Sequence, residues 1–291
     1  MTRDDATGVL DDDGVTPAVR AVYGPQDLSS VPAFLGGFIN FGHWDGIPLD
    51  RPFTAEDRVR SARNLYRHVL STLTAPGGAG VGGRRGRAVE VGCGLGLGCA
   101  LALEEFAFDS VTGMDIHPDQ LERARGANAA LLSAAPERFR FARGAAESMP
   151  FTDGEFDRLY SVEAAQHFRD LAAFARESAR VLRPGGRMAV TSFFVPGDAK
   201  GGVADALAGR LDSFASGLDV AHPVGTLVDA LAAAGLTEVR TESIGESVWP
   251  GFDRFLAAIE LPVTWPRNFL GAYRDGLLDY YVITARRPGG V

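Results

Sequence analysis

From residue 87 onward, short apolar runs alternate with stretches whose apolar residues recur every three or four positions. RAVEVGC, SVTGMDI, RFRFARG, FDRLYSV and RMAVTSFF read as strands, because each is brief, rich in β-branched or aromatic residues and bounded by turn formers. GCALALEEFAF, HPDQLERARGANAALLSAA and DLAAFARESARVLRPGG carry the helical period, and Pro-Gly-Gly closes the last of them. Downstream, PVGTLVDALAAAGL reads as a helix ending at Gly235, and TEVRTESI and LDYYVITARR as final strands. Strand and helix in alternation argue for a mostly parallel sheet covered on both faces. No clear helix separates the last two strands; a segment rich in Trp, Phe and Pro stands there instead.

Upstream, EDRVRSARNLYRHVLSTL has helical spacing, preceded by loop signals in GGFINFGHWDGIPLD, and APGGAGVGGRRG reads as an exposed glycine-rich linker. The expected organisation is an acidic flexible tail at 1–16, a helical cap and linker at 17–80, and a core at 81–291 with an insertion at about 246–276.

The 46% hydrophobic content is enough for a packed core in one large domain. The net charge of −8 argues against nucleic acid or an anionic membrane as main partner. No apolar signal region opens the chain and no run reaches the length of a membrane helix, so a cytoplasmic location is expected. Two cysteines, Cys93 and Cys99, make no zinc framework and read as small apolar fillers; no metal is expected.

Both cysteines lie in VEVGCGLGLGCALALEEFAFDSVTGMDI, where glycines end an apolar run. The dinucleotide fingerprint G-x-G-x-x-G fails in every frame, since its third place falls on Leu97, Cys99 or Leu101. Acidic-x-G-x-G-x-G fits, as Glu90, Gly92, Gly94 and Gly96, with Asp115 nineteen residues after Gly96. This pattern resembles the first two motifs of class I S-adenosylmethionine-dependent methyltransferases of the small-molecule, natural-product type. RGAAESMPFTDGEFDRLYSVEAAQHFRD and VLRPGGRMAVTSFF resemble that family's later motifs in order and spacing.

The resemblance implies an α/β fold: a Rossmann-like, doubly wound, mostly parallel sheet with an antiparallel last strand, a helical N-terminal cap and a lid insertion. It also implies S-adenosyl-L-methionine as cofactor. Its binding residues would be Glu90, Gly92, Cys93, Gly94 and Gly96 at the turn, Asp115 for the ribose, Ile116 on the adenine, and Gln120, Gly144, Ala145, Ala146, Ser161 and Val162. Ala145 departs from the family, which commonly places an acid there for the adenine amino group. GGFINFGHWDG resembles an aromatic segment that closes over the cofactor, which assigns Phe41, His43 and Trp44 to it.

Methyl transfer needs an in-line nucleophile, and a hydroxyl nucleophile gains from a base suited to neutral pH. His167, just after the fourth strand, is the candidate base; Glu163, four residues earlier, is the candidate to orient it. The insertion supplies Trp249, Phe252, Phe255, Trp265, Phe269 and Tyr273 as substrate walls. Other readings of that segment are plain core or a dimer interface, hence a homodimer. The expected activity is O-methylation of a bulky, largely apolar small molecule of secondary metabolism. Nitrogen or carbon acceptors, a cyclase that binds the cofactor without transferring methyl, and a non-catalytic sensor are the alternatives.

Overall fold

In the computed structural model, residues 15–24, 28–74, 86–197, 199, 201–259 and 265–290 are described. The acidic stretch at 11–13 and the glycine-rich stretch at 75–85 lie outside them.

A helix α1 (Pro17–Tyr23), capped by the Thr16 hydroxyl, precedes the long α2 (Ala55–Thr74). The core then runs β1 (Arg87–Val91), α3 (Leu97–Glu105), β2 (Ser110–Asp115), α4 (Pro118–Ala127), α5 (Ala129–Ala134), β3 (Phe139–Arg143) and β4 (Phe156–Val162). It continues through α6 (Leu171–Val181), β5 (Leu182–Phe194), α7 (Val203–Ala208), α8 (Asp212–Ala215), α9 (Val224–Ala233), β6 (Thr237–Ser243), α10 (Gly245–Ala258), α11 (Asn268–Arg274) and β7 (Asp279–Arg286). The strands form one sheet in the order β3-β2-β1-β4-β5-β7-β6. β7 runs antiparallel to β5 and β6, while β1 to β5 pair in parallel.

Each strand alternates its side chains between two cores, as the period of two requires. In β1, Ala88 joins the core under α2 and α3, whereas Val89 and Val91 join the core under α6 and α9. The helix expected across 117–135 breaks at Asn128, whose side-chain amide reaches the carbonyls of Ala124 and Leu95 at 2.8 and 2.9 Å. That second bond ties α4 to the glycine turn. The stretch between β5 and α9 carried no expectation; it folds into α7 and α8, and the loop after them returns to the end of β4.

Candidate active site

At the carboxyl ends of β1, β2 and β4 the chain encloses a cavity of about 380 Å³. This is where open parallel sheets receive ligands. α1 closes it from above with Val19 and Tyr23, and Arg123 of α4 holds that helix through the carbonyls of Tyr23 and Gly24.

The three glycines of the turn all have positive φ, and each serves a different purpose. A Cβ at Gly92 would meet that of Ala164 at 2.3 Å, and one at Gly96 would strike the Phe141 ring at 2.4 Å. A Cβ at Gly94 would meet no described atom within 4 Å, because that residue opens on the cavity. Gly92 and Gly96 thus let helix and strand pack closely, while Gly94 leaves the space a ligand needs. Gly96 does not line the cavity; Gly98 and Leu97 do.

Asp115 ends β2 beside the turn. One of its oxygens accepts the Gly94 N–H and the other the His117 N–H, both at 2.9 Å. Burial pushes its carboxyl above the usual range, and these two N–H bonds oppose that shift. Each oxygen keeps lone pairs for a further donor. Next to it, both amide atoms of Gln120 are buried without a hydrogen-bond partner among the described residues, and so is Nε2 of His117. His117 caps α4, its Nδ1 accepting the Asp119 N–H at 3.2 Å, so Nε2 carries the proton. A carboxylate with lone pairs to spare, beside an amide and an N–H donor that lack partners among the described residues, suits a polar, nucleoside-like ligand. Ile116, Cys93 and Met114 supply apolar contact there, and Gly144, Ala145, Ala146 and Val162 line other parts of the cavity. Glu147 turns its carboxylate to the Arg169 N–H at 3.0 Å, so the place of the missing acid is not taken over by its neighbour.

His167 sits in a short turn after β4 and lines the cavity. Its Nε2 lies 2.9 Å from the Tyr23 hydroxyl; its Nδ1 lies 3.0 Å from the Leu218 carbonyl and 3.2 Å from the Asp219 carboxylate. A second hollow of about 270 Å³ shares Thr16, His167 and Arg169 with the first and is walled by Phe214, Leu218 and Val220. Neither Tyr23 nor Asp219 is marked by a motif in the sequence; both come to His167 across more than fifty residues through tertiary folding alone.

Several expected positions prove to lie elsewhere. Glu90 is fully buried on the side of β1 that faces α2 and α3, where it accepts from Tyr66 and Cys99 at 2.8 Å each. Strand alternation turns it away from the cavity, and burial pushes its carboxyl up to about 7. Ser161 is likewise turned inward, its hydroxyl donating to the Val91 carbonyl at 2.8 Å. Glu163 does line the cavity but does not orient His167. Its left-handed backbone aims the carboxyl at the Phe41 N–H and the Tyr280 hydroxyl, and burial pushes it up to about 8.

The aromatic loop is also displaced from the cavity. Phe41 packs edge-on to Phe252 at 4.8 Å, His43 stacks on His68 at 4.8 Å, and Trp44 lies against Phe53 at 5.3 Å. Gly37, Phe38 and Ile39, a few residues earlier, meet the cavity instead. None of the described residues of the insertion lines this cavity or the second hollow. Trp249 stacks on Phe269 at 5.2 Å, Phe252 and Phe255 are buried against α2 and the aromatic loop, and Tyr273 packs beside Gly245. These rings find one another, so they fill a core rather than line a pocket. The side chain of Trp265 lies outside the described residues.

The sheet order, the antiparallel β7 and the glycine turn beneath a cavity define a Rossmann-like α/β nucleoside-binding fold. Residues 89–190 match the family model described as methyltransferase domain. The chain is similar to the methyltransferase GfsG of Streptomyces halstedii, at 28% identity over 86% of this chain and 87% of that protein. Three other curated methyltransferases are 28 to 34% identical, and the chain spans about half of their length, 46 to 59%. Among solved structures, geranyl diphosphate C-methyltransferase from Streptomyces coelicolor A3(2) shares the fold with a TM-score of 0.74 and 20% identity, covering 94% of this chain and 99% of that one. The [4+2]-cyclase SpnF shares it too, with a TM-score of 0.61 and 22% identity over 87% of this chain and 89% of that one. Among the described residues no helix is long and apolar enough to cross a membrane.

Proposed function

We propose that the chain transfers a methyl group from S-adenosyl-L-methionine to a hydroxyl of a largely apolar small molecule, with His167 as base. The observation that carries this reading is the pairing of two hollows through one imidazole. The larger meets the glycine turn, the smaller has an apolar wall, and His167 stands between them.

On this reading Asp115 accepts from the ribose hydroxyls, Gln120 and the His117 Nε2–H meet the base, and Gly94 admits the amino-acid end. Bound there, the cofactor supplies an electrophilic methyl on a sulfonium; forming the O–C bond breaks the S–C bond, whose electron pair stays on sulfur. The chain's own task is to hold the acceptor oxygen and take its proton. In this structure the Tyr23 hydroxyl holds the position of such an oxygen, 2.9 Å from Nε2. An acceptor hydroxyl displaces it and gives its proton to the same nitrogen. Phe168, Phe214 and Val220 around the two hollows favour an apolar acceptor body. A nitrogen acceptor makes less use of a base, which is why oxygen is preferred.

The test is incubation with methyl-labelled S-adenosylmethionine and a panel of hydroxylated aromatic metabolites, read by product mass. A gain of one labelled methyl supports transfer, and a rearranged product of unchanged mass replaces it with a cyclase. His167→Ala should lower turnover by about a hundredfold or more while leaving cofactor affinity nearly intact. Unchanged turnover refutes the base assignment.

A further inference from the structure

We propose that Asp219 is the positioning residue of His167: it pairs with the Nδ1 side of the imidazole and keeps Nε2 turned to the hydroxyl position. The inference rests on His167 acting as base and concerns how that base is held.

The hydrogen-bond partners decide the tautomer. The Leu218 carbonyl, 3.0 Å from Nδ1, has no proton to give, so Nδ1 must be the donor in neutral imidazole. The Nε2 lone pair then faces two donors, the Tyr23 hydroxyl at 2.9 Å and the Gln166 amide at 3.3 Å. Gln166 is itself oriented, donating to the Glu163 carbonyl at 3.0 Å and accepting from Ser192 at 2.6 Å. Nε2 is therefore the basic atom, and it is turned to the hydroxyl position.

The carbonyl alone fixes the tautomer; Asp219 adds charge. Its carboxylate is 3.2 Å from Nδ1, with its side chain only 5% exposed. A nearby carboxylate shielded from water lowers the energy of an imidazolium more than that of the neutral ring. The loop is held for this purpose. The Asp219 N–H bonds to the Ser213 carbonyl in α8 at 3.0 Å, and the Val220 N–H bonds to the Gln166 carbonyl at 2.9 Å. Other charged or titratable groups near the imidazole are Tyr23 from α1, Asp115 from β2 and Arg169, which lines both hollows with His167, with Glu163 beyond the β4 end acting on Tyr23. Asp219 is the carboxylate in direct contact. Glu163, the acid nearest in sequence, spends its oxygen on Phe41 and Tyr280.

The experiment is nitrogen-15 NMR of the histidine side chains in the full chain, followed with pH. In the wild type, neutral His167 should show the Nδ1–H tautomer; an Nε2–H tautomer overturns the proposal. In Asp219→Asn, kcat should fall by about tenfold with KM nearly unchanged, and Asp219→Glu should restore part of it. Unchanged kcat in a folded Asp219→Asn variant overturns the positioning role. Should the Nδ1–H tautomer be found while His167→Ala keeps full turnover, the tautomer stands and the base assignment fails. Cofactor titration of the same variants separates both from loss of the cofactor site.

Discussion

The hollow above the glycine turn and the aromatic segment from α10 to α11 sit on one sheet and meet opposite fates. Both are rich in residues that hold small molecules. In the segment, Trp249, Phe252, Phe255 and Phe269 are 1 to 2% exposed and their ring faces are covered by Phe41 or Trp44, only the Trp249 indole N–H lacking a partner among the described residues. In the hollow, Asp115 has spare lone pairs, and Gln120 and His117 have polar atoms without partners among the described residues. A residue's type says that it could bind; whether its neighbours already occupy it says whether it does.

The largest effects should separate the two regions. Phe252→Ala empties space in the aromatic core and should cost about 3–5 kcal/mol in urea unfolding, while the folded fraction keeps its cofactor affinity. A matching loss of affinity would return the segment to the binding site. Gly94→Val does the reverse. It should remove cofactor binding by about a hundredfold or more in calorimetry, with a stability cost of about 1–3 kcal/mol from a branched residue at φ +50°. Asp115→Ala should weaken cofactor binding by about 1–3 kcal/mol through loss of a charged hydrogen-bonding group.

A smaller effect concerns pH. Burial pushes Glu90 up to about 7 and Glu163 up to about 8, above the ordinary carboxyl range. Between that ordinary range and these values the folded state holds protons the unfolded chain has released, so stability falls as pH rises. Thermal melts should show a loss between about pH 5 and 8 that Glu163→Gln reduces. An equal slope in that variant would deny that the buried carboxyl is protonated. Smallest of all, His43→Ala should change cofactor affinity by no more than about twofold, since that ring stacks on His68.

The sequence made some of this legible. The apolar periods located all seven strands, and the glycine spacing with Asp115 located the hollow, because local chain chemistry dictates both. Strand alternation within GRAVEVG was equally readable and would have turned Glu90 inward; the family pattern, which names the acid without its direction, outweighed it. Phe41, Trp44 and the α10 rings were misplaced for another reason. An aromatic residue looks the same in sequence whether it faces a ligand or another ring. Tyr23 and Asp219 had no local signal, since they meet His167 only when α1 and the loop after α8 fold back over β4.

The central claim is that the hollow at the ends of β1 and β2 receives S-adenosylmethionine, and titration calorimetry of the wild-type chain with that cofactor and with NAD tests it most directly. Saturable binding of S-adenosylmethionine at one site per chain, with weaker or no heat from NAD, is the expected result. Tighter binding of NAD, or no binding of S-adenosylmethionine, would contradict it.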